Sequence, residues 1–308
     1  MAYARRRSTV RPLRRNRRYL KVVPKKRPAR RPSYRRRRPM RSGRKRILNI
    51  TSRKKQDSMI SLVQEPFGTP SVTPAPVVMT GDESYQFLWI ASARDNVIAG
   101  TEPGVFQASQ RTATTCFMRG LAERWDITTG SPAPWLHRRI VFSFTGPEIY
   151  TVTSPTNGVG ALFAELSTGY TRDFPNLFGV VDPRTVQVQS QANDIIFKGT
   201  QGRDWTDLFQ AKVDTNRVSL ISDKVTRYTS GNDRGVFRTQ KFWTPINKNL
   251  IYDDDENGNS TVNSPFSVSH GPTCGDIYVM DLFSAGLGST SSDEMRINVQ
   301  ATLYWHER

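Results

Sequence analysis

The first acidic residue of this chain is Asp57. All 25 charged side chains among residues 1–55 are cationic, and 19 of them are Arg. Such a stretch cannot build a core. Its charges repel one another, it has no periodic apolar pattern, and Pro12, Pro24, Pro28, Pro32 and Pro39 interrupt any helix. The whole chain carries a net charge of +18, so the remainder holds 20 Lys/Arg against 27 Asp/Glu, a net of −7. Charge is therefore segregated. A polycationic arm is joined to a mildly acidic body, which points to a polyanionic partner for the arm alone.

Three regions follow. Residues 1–45 read as an extended Arg/Pro-rich arm that orders on its polyanion. Residues 46–80 read as a transition, with Ile47, Leu48, Ile50, Met59, Ile60, Leu62 and Val63 as apolar anchors before a loop-like run of Pro66, Pro70, Pro74 and Pro76. Residues 81–308 contain all six Trp and read as a globular domain.

In that domain the apolar pattern has the period of strands. Tyr85, Phe87 and Trp89 alternate with Gln86, Leu88 and Ile90. Phe117, Arg119 and Leu121 alternate with Cys116 and Met118. Ile140, Phe142 and Phe144 alternate with Arg139, Val141 and Ser143. Val186 and Val188 sit between Gln187 and Gln189, with Ile195-Ile196-Phe197 after a short turn. Residues 217–228 and 236–243 read as a strand pair joined through Ser230-Gly231-Asn232-Asp233. Ile277 to Phe283 is apolar on both faces. The final stretch is clearest: Ile297, Val299, Ala301, Leu303 and Trp305 share one face, with Arg296, Asn298, Gln300, Thr302, Tyr304 and His306 on the other. Helical signals are confined to 160–166 and to 204–211, where Asp204 is a candidate cap. Strands followed by helices at regular intervals are missing, which argues against a parallel α/β sheet. The expected fold is all-β, an eight-stranded antiparallel jelly-roll sandwich with a disordered basic N-terminal arm.

The arm is the strongest chemical signal. Its candidate phosphate-binding residues are Arg5, Arg6, Arg7, Arg11, Arg14, Arg15, Arg17, Arg18, Lys21, Lys25, Lys26, Arg27, Arg30, Arg31, Arg35, Arg36, Arg37, Arg38, Arg41, Arg44, Lys45 and Arg46. The Arg guanidinium presents forked donors that match phosphate oxygens and stays charged at any cellular pH. Tyr3, Tyr19 and Tyr34 are spaced among them as candidate stacking platforms for unpaired bases. Reading base edges needs rigidly held side chains. A Pro-rich arm has none, so its binding is expected to be sequence-independent and strongly salt-dependent. The run Arg27–Arg46 also fits a nuclear-import signal, which makes import receptors a second partner.

Elsewhere the signals are weak. Asp253, Asp254, Asp255 and Glu256 precede the turn signal Asn257-Gly258. They read as a solvated turn, an inter-subunit charge partner or a weak cation site, without the alternating spacing of a helix–loop–helix calcium site. The histidines His137, His270 and His306 form no metal or catalytic spacing, and no nucleophile elbow is present. Gly286-Leu287-Gly288 echoes a phosphate loop only faintly and reads as a plain loop. Cys116 and Cys274 are too few for a disulfide framework and read as buried thiols. Asn49-Ile50-Thr51 and Asn259-Ser260-Thr261 match the glycosylation sequon by coincidence. The basic start, followed by more basic residues, predicts no secretion signal, and the prolines that interrupt any amphipathic helix argue against a transit peptide. No apolar run approaches the ~18–20 residues of a membrane span. No enzyme activity, metal or cofactor is expected.

Several segments together resemble the capsid proteins of genomoviruses, small viruses with circular single-stranded DNA related to geminiviruses. They are Met1-Ala2-Tyr3-Ala4-Arg5-Arg6-Arg7, Ile47-Leu48-Asn49-Ile50-Thr51-Ser52-Arg53-Lys54-Lys55-Gln56-Asp57, Asn249-Leu250-Ile251-Tyr252-Asp253-Asp254-Asp255-Glu256-Asn257-Gly258 and Ala301-Thr302-Leu303-Tyr304-Trp305-His306-Glu307. The resemblance implies one jelly-roll domain, a homo-oligomeric shell of sixty copies, an inward arm on single-stranded DNA, and a life in the virion and, during assembly, the host nucleus. A geminivirus-type zinc site is not visible in the Cys and His positions. Sixty arms would bring on the order of 1,500 positive charges, comparable with the phosphates of about two thousand nucleotides. The competing reading is a cellular nucleic-acid-binding protein of ribosomal or chromatin type. Such proteins usually spread their basic residues through the folded part, which is acidic here.

Overall fold

The computed structural model describes residues 43–64, 73–96, 106–151, 162–166, 169–178 and 183–307. The chain divides into two units, 1–44 and 45–308. Only Gly43 and Arg44 of the first are among the described residues.

Eight strands of the described residues are seven residues or longer: β1 (Arg53–Gln64), β2 (Ser84–Ile90), β3 (Thr115–Thr129), β4 (Trp135–Phe144), β5 (Ser219–Tyr228), β6 (Phe237–Ile251), β7 (Asp276–Ala285) and β8 (Glu294–Glu307). They form two antiparallel sheets. Sheet one runs β6-β3-β8-β1, and sheet two runs β5-β4-β7-β2. Three short segments extend sheet one: Thr73–Pro74 on β1, Val77–Thr80 on β8, and Arg172–Pro175 parallel to β1. Among the described residues two helices accompany them, α1 (Arg44–Thr51) and α2 (Pro183–Ile196).

The chain is mostly β and forms a sandwich. Period-2 patterning puts one face of each strand between the sheets. Met59, Leu121, Val141, Val279, Leu303 and Trp305 meet there in one apolar cluster, and Trp125, Ile127, Trp135, Phe283, Ile297 and Val299 in a second. Burying each such side chain contributes about 1.5–3 kcal/mol. The other face of sheet two is covered as well. Ala192 and Ile196 of α2, with Phe197, Trp205 and Leu208, pack on Leu88, Ile140, Phe142 and Met280. Central strand β7 is thus buried on both sides, which is why it reads as apolar throughout.

Several expectations change. The pattern around Val186 and Val188 is helix α2, not a strand. Pro183 suits a first helical turn, and Ala192 and Ile196, four residues apart, face the core. The helix is also held by amides: Gln86 Nε2 donates to Asn193 Oδ1 at 2.8 Å, and Gln189 Nε2 donates to Gln86 Oε1 at 3.1 Å. The helical reading of 160–166 fails where it is described, because Glu165–Leu166 pairs with Gly169–Tyr170 as a small hairpin. Residues 204–211 form turns and a bend, with Trp205 bridging to Gln201, and no helix. Asp204 Oδ2 accepts from the Thr200 amide behind it instead of capping a helix ahead.

Strands β5 and β6 exist as expected but do not pair. Each joins a different sheet, β5 beside β4 and β6 beside β3. Their connection packs on the end of β3. The Thr129 amide donates to Val236 O at 2.9 Å, and a Cβ at Gly235 would fall 1.7 Å from Thr129 O. In β3, Leu121 does not share the face of Phe117 and Arg119. Tyr304 is opposite Gly120 and Trp305 opposite Met118, so Arg119 is an extra residue and the alternation inverts there. β6 is irregular at the same level, where Asn247 takes a φ of 52°. Within 46–80, Met59 and Leu62 are core residues of β1, whereas Ile47, Ile50 and Ile60 are exposed. Of the two thiols, Cys116 is buried and Cys274 only partly so.

Candidate nucleic-acid interface

The arm residues Arg5 to Arg41, with Tyr3, Tyr19 and Tyr34, lie outside the described residues. Arg44 and Lys45 open α1, and Arg46 is exposed on it. A second basic surface is fully described. It is the face of sheet one turned away from the core.

Register defines that face rank by rank. Lys241, Arg124, Gln300 and Ile60 are neighbours across β6, β3, β8 and β1. The next ranks are Trp243, Ala122, Thr302 and Ser58, then Pro245, Gly120, Tyr304 and Gln56. Beyond the bulge come Asn249, Phe117, His306 and Lys54. Lys54, Arg119, Arg124, Lys241 and Arg296 are all exposed on it. Its carboxylates are Asp126 and Glu294. Asp126 is already engaged, accepting from Thr239 Oγ1 at 2.6 Å and lying 3.7 Å from Arg124 Nε.

Aromatic rings lie among these cations. Trp243 is 50% exposed and meets Tyr304 edge-on, with centroids 5.9 Å apart. The Arg119 guanidinium lies 5.9 Å from the Trp243 centroid and donates to Asn247 Oδ1. Phe117 and His306 are 5.8 Å apart. Burial holds the His306 pKa below its ordinary value, and the positive charges of Lys54 and Arg119 lower it further. Beside Trp243, a depression of about 410 Å³ is lined by Ala122, Arg124, Lys241, Gln300 and Thr302 among others.

Beneath this face lies a buried ion cluster. Glu123 of β3 accepts from Arg139 of β4 and from Arg172, and Asp281 of β7 accepts from both arginines and pairs with His137 Nε2 at 2.9 Å. The charges link both sheets, and the Arg172 guanidinium lies 4.5 Å from the Trp89 centroid. Burial alone would raise the Asp281 pKa, but Arg139, His137 and Arg172 together hold it far below the usual carboxylate range. Arg139 and Arg172 are pushed down by burial and held up by Asp281.

The four acidic residues part company. Asp254 is bound by Arg111 Nη1 and Nη2 at 2.5 and 2.9 Å, by Thr114 Oγ1 at 2.9 Å and by the Ser264 amide at 3.2 Å. Arg111 in turn lies 3.9 Å over the Tyr252 ring. Asp254 is therefore an internal clamp. Asp253, Asp255 and Glu256 are exposed, the last two in the hairpin of Asp255–Asn257 with Ser260–Val262. Among the described residues, no three His, Cys, Asp or Glu side chains group as metal ligands, and no helix is long and apolar enough to cross a membrane. Leu287, in the glycine-flanked loop, is fully exposed.

The sheet-one face was not found by sequence reasoning. The signal for half of it was present, since Arg296, Gln300, Thr302, Tyr304 and His306 alternate cleanly. The partners from β3 were hidden by the bulge at Arg119, and those from β6 by pairing that only tertiary structure sets.

No protein-family model matches this chain, and no curated protein matches it. Among solved structures, an unassembled pentamer of Washington University polyomavirus VP1 aligns over 82% of this chain and 95% of its own. The identity is 10% and the TM-score 0.09, so the alignment carries no weight for fold or function.

Proposed function

We propose that this chain is a viral coat protein of the genomovirus type, which self-assembles into a small icosahedral shell and packages circular single-stranded DNA on its arginine-rich arm. The observation that carries the reading is the charge division: 25 cations and no anion over residues 1–55, against a net of −7 over the rest. A shell needs an interior that neutralises phosphate and an exterior that does not capture it.

The strand order supports the same reading. Numbered along the chain, the long strands lie 6-3-8-1 and 5-4-7-2. That order fits an eight-stranded jelly roll, an architecture shared by viral capsid and lectin domains. The shorter strands then decorate the roll. On this reading the protein is structural and not an enzyme, about sixty copies close one particle, and Arg27–Arg46 serves nuclear import before assembly.

Electron microscopy of the expressed chain tests the proposal. Uniform closed shells about 20 nm across are expected. Persistent monomers that bind DNA would overturn it in favour of a cellular nucleic-acid-binding protein.

A further inference from the structure

We propose that the outward face of sheet one, centred on Trp243, Tyr304 and Phe117 and flanked by Arg119, Arg124 and Lys241, is a base-stacking site for single-stranded nucleic acid, separate from the arm. The inference deepens the packaging reading and rests on it.

Three observations favour this occupant. First, five exposed cations share the face with the carboxylates of Asp126 and Glu294, four of them within residues 56–308, whose net charge is −7. This is local charge complementarity to phosphate on an otherwise acidic domain. Second, aromatic rings stand beside the cations, and Trp243 is half exposed with the Arg119 guanidinium 5.9 Å from its centroid. Unpaired bases stack on such rings whatever their identity, while Arg and Lys take the backbone. Third, the wall beside Trp243 is cut away. Ala122 stands where a larger side chain would fill the depression of about 410 Å³.

Other occupants fit less well. A protein partner would meet a centre rich in Lys and Arg, whereas the cores of protein interfaces are depleted of charge. Duplex DNA keeps its bases stacked and offers nothing to an indole lying on a flat sheet. The side chains here ask for splayed bases, so the site should bind single strands with little preference for sequence.

The site has an internal reporter. Trp89, Trp125, Trp135 and Trp305 are at most 1% exposed and Trp205 is 8% exposed, so an added ligand reaches Trp243 first. The full chain is titrated with oligo(dT) of about 20 nucleotides in about 0.5 M salt, where arm–phosphate contacts are weakened. Quenching of Trp emission is expected. Trp243→Ala should abolish the quench and weaken binding about tenfold, the scale of one lost stacking contact. An abasic strand of the same length should bind without quenching. Ultraviolet crosslinking of the unaltered chain to oligo(dT), with the adducts mapped by mass spectrometry, should label peptides holding Trp243, Tyr304 or Phe117.

Crosslinks confined to the arm, or a quench that survives Trp243→Ala, would overturn the site. So would Trp243 becoming shielded from acrylamide as protein concentration rises without nucleic acid, since another copy would then cover the face. Shell formation is scored separately by microscopy. Shells without a quench remove this inference alone, and a quench without shells removes the coat-protein reading alone.

Discussion

The indole of Trp243 lies across Gly120 of the neighbouring strand. A Cβ at position 120 would sit 2.7 Å from Trp243 Cη2 and 2.7 Å from the Thr244 carbonyl oxygen. The missing side chain is what lets Trp243 lie over the sheet toward Tyr304 instead of standing away from it. Gly120→Ala should therefore be costly although it adds one methyl. Overpacking of this kind costs about 1–3 kcal/mol. Chemical denaturation followed by circular dichroism should show that loss, and the Trp emission maximum should move as the exposed indole is displaced. Unchanged stability and emission would mean that the indole does not lie there.

The buried cluster joining the sheets makes a second prediction. Glu123 balances Arg139 and Arg172. Glu123→Leu removes the carboxylate that both buried guanidinium groups share across the sheets, although Asp281 still accepts from both. Breaking one side of a buried ion pair costs about 3–5 kcal/mol. The urea midpoint should fall accordingly, while replacing the exposed Lys54 by Ala should barely move it. Equal effects at the two positions would contradict the buried geometry.

Asp276 sets a pH dependence of known sign. Burial raises its pKa to about 6, although the Ser267 amide, Ser267 Oγ and Ser92 Oγ all donate to it. Its folded pKa exceeds its unfolded value, so the native state holds the extra proton between about pH 4 and 6. This group therefore costs stability as pH rises through that window, by about 3 kcal/mol in all. Asp276→Asn should remove that slope from the stability difference against the parent chain, measured by urea unfolding at successive pH values. Asp281 acts in the opposite sense. Its pKa is depressed, so its contribution is present above the unfolded carboxylate pKa and is lost on strong acidification.

The arm yields the fourth prediction. Removing residues 1–45 should leave the circular dichroism of the strands intact and abolish packaged nucleic acid. It should also flatten the dependence of log K on log salt, whose slope for single strands is about −0.7 per neutralised phosphate. A truncated chain with the parent slope would place the electrostatic contacts elsewhere.

How far the pattern was legible varied with what surrounds each strand. β8 could be read residue by residue because one face meets the core and the other meets solvent, so its alternation is clean. β7 read as apolar on both faces because α2 and the 197–213 segment cover its far side. α2 was misread because Val186 and Val188 mimic a period of two, while the residues that anchor the helix, Ala192 and Ile196, are too few to display a helical period. The acidic run at 253–256 looked uniform, yet only Asp254 meets a buried arginine, 143 residues away in sequence.

Charge segregation, strand content and the final strand's two faces were determined by sequence alone, because net charge and period-2 alternation are local properties of neighbouring residues. Which strands pair was decided by tertiary structure, as was the burial of Glu123, Arg139, Arg172 and Asp281 together. The same holds for the face that gathers Trp243, Arg119 and Tyr304. Those depend on register between strands far apart in sequence and on one extra residue at Arg119, and a single added residue exchanges the two faces of everything beyond it.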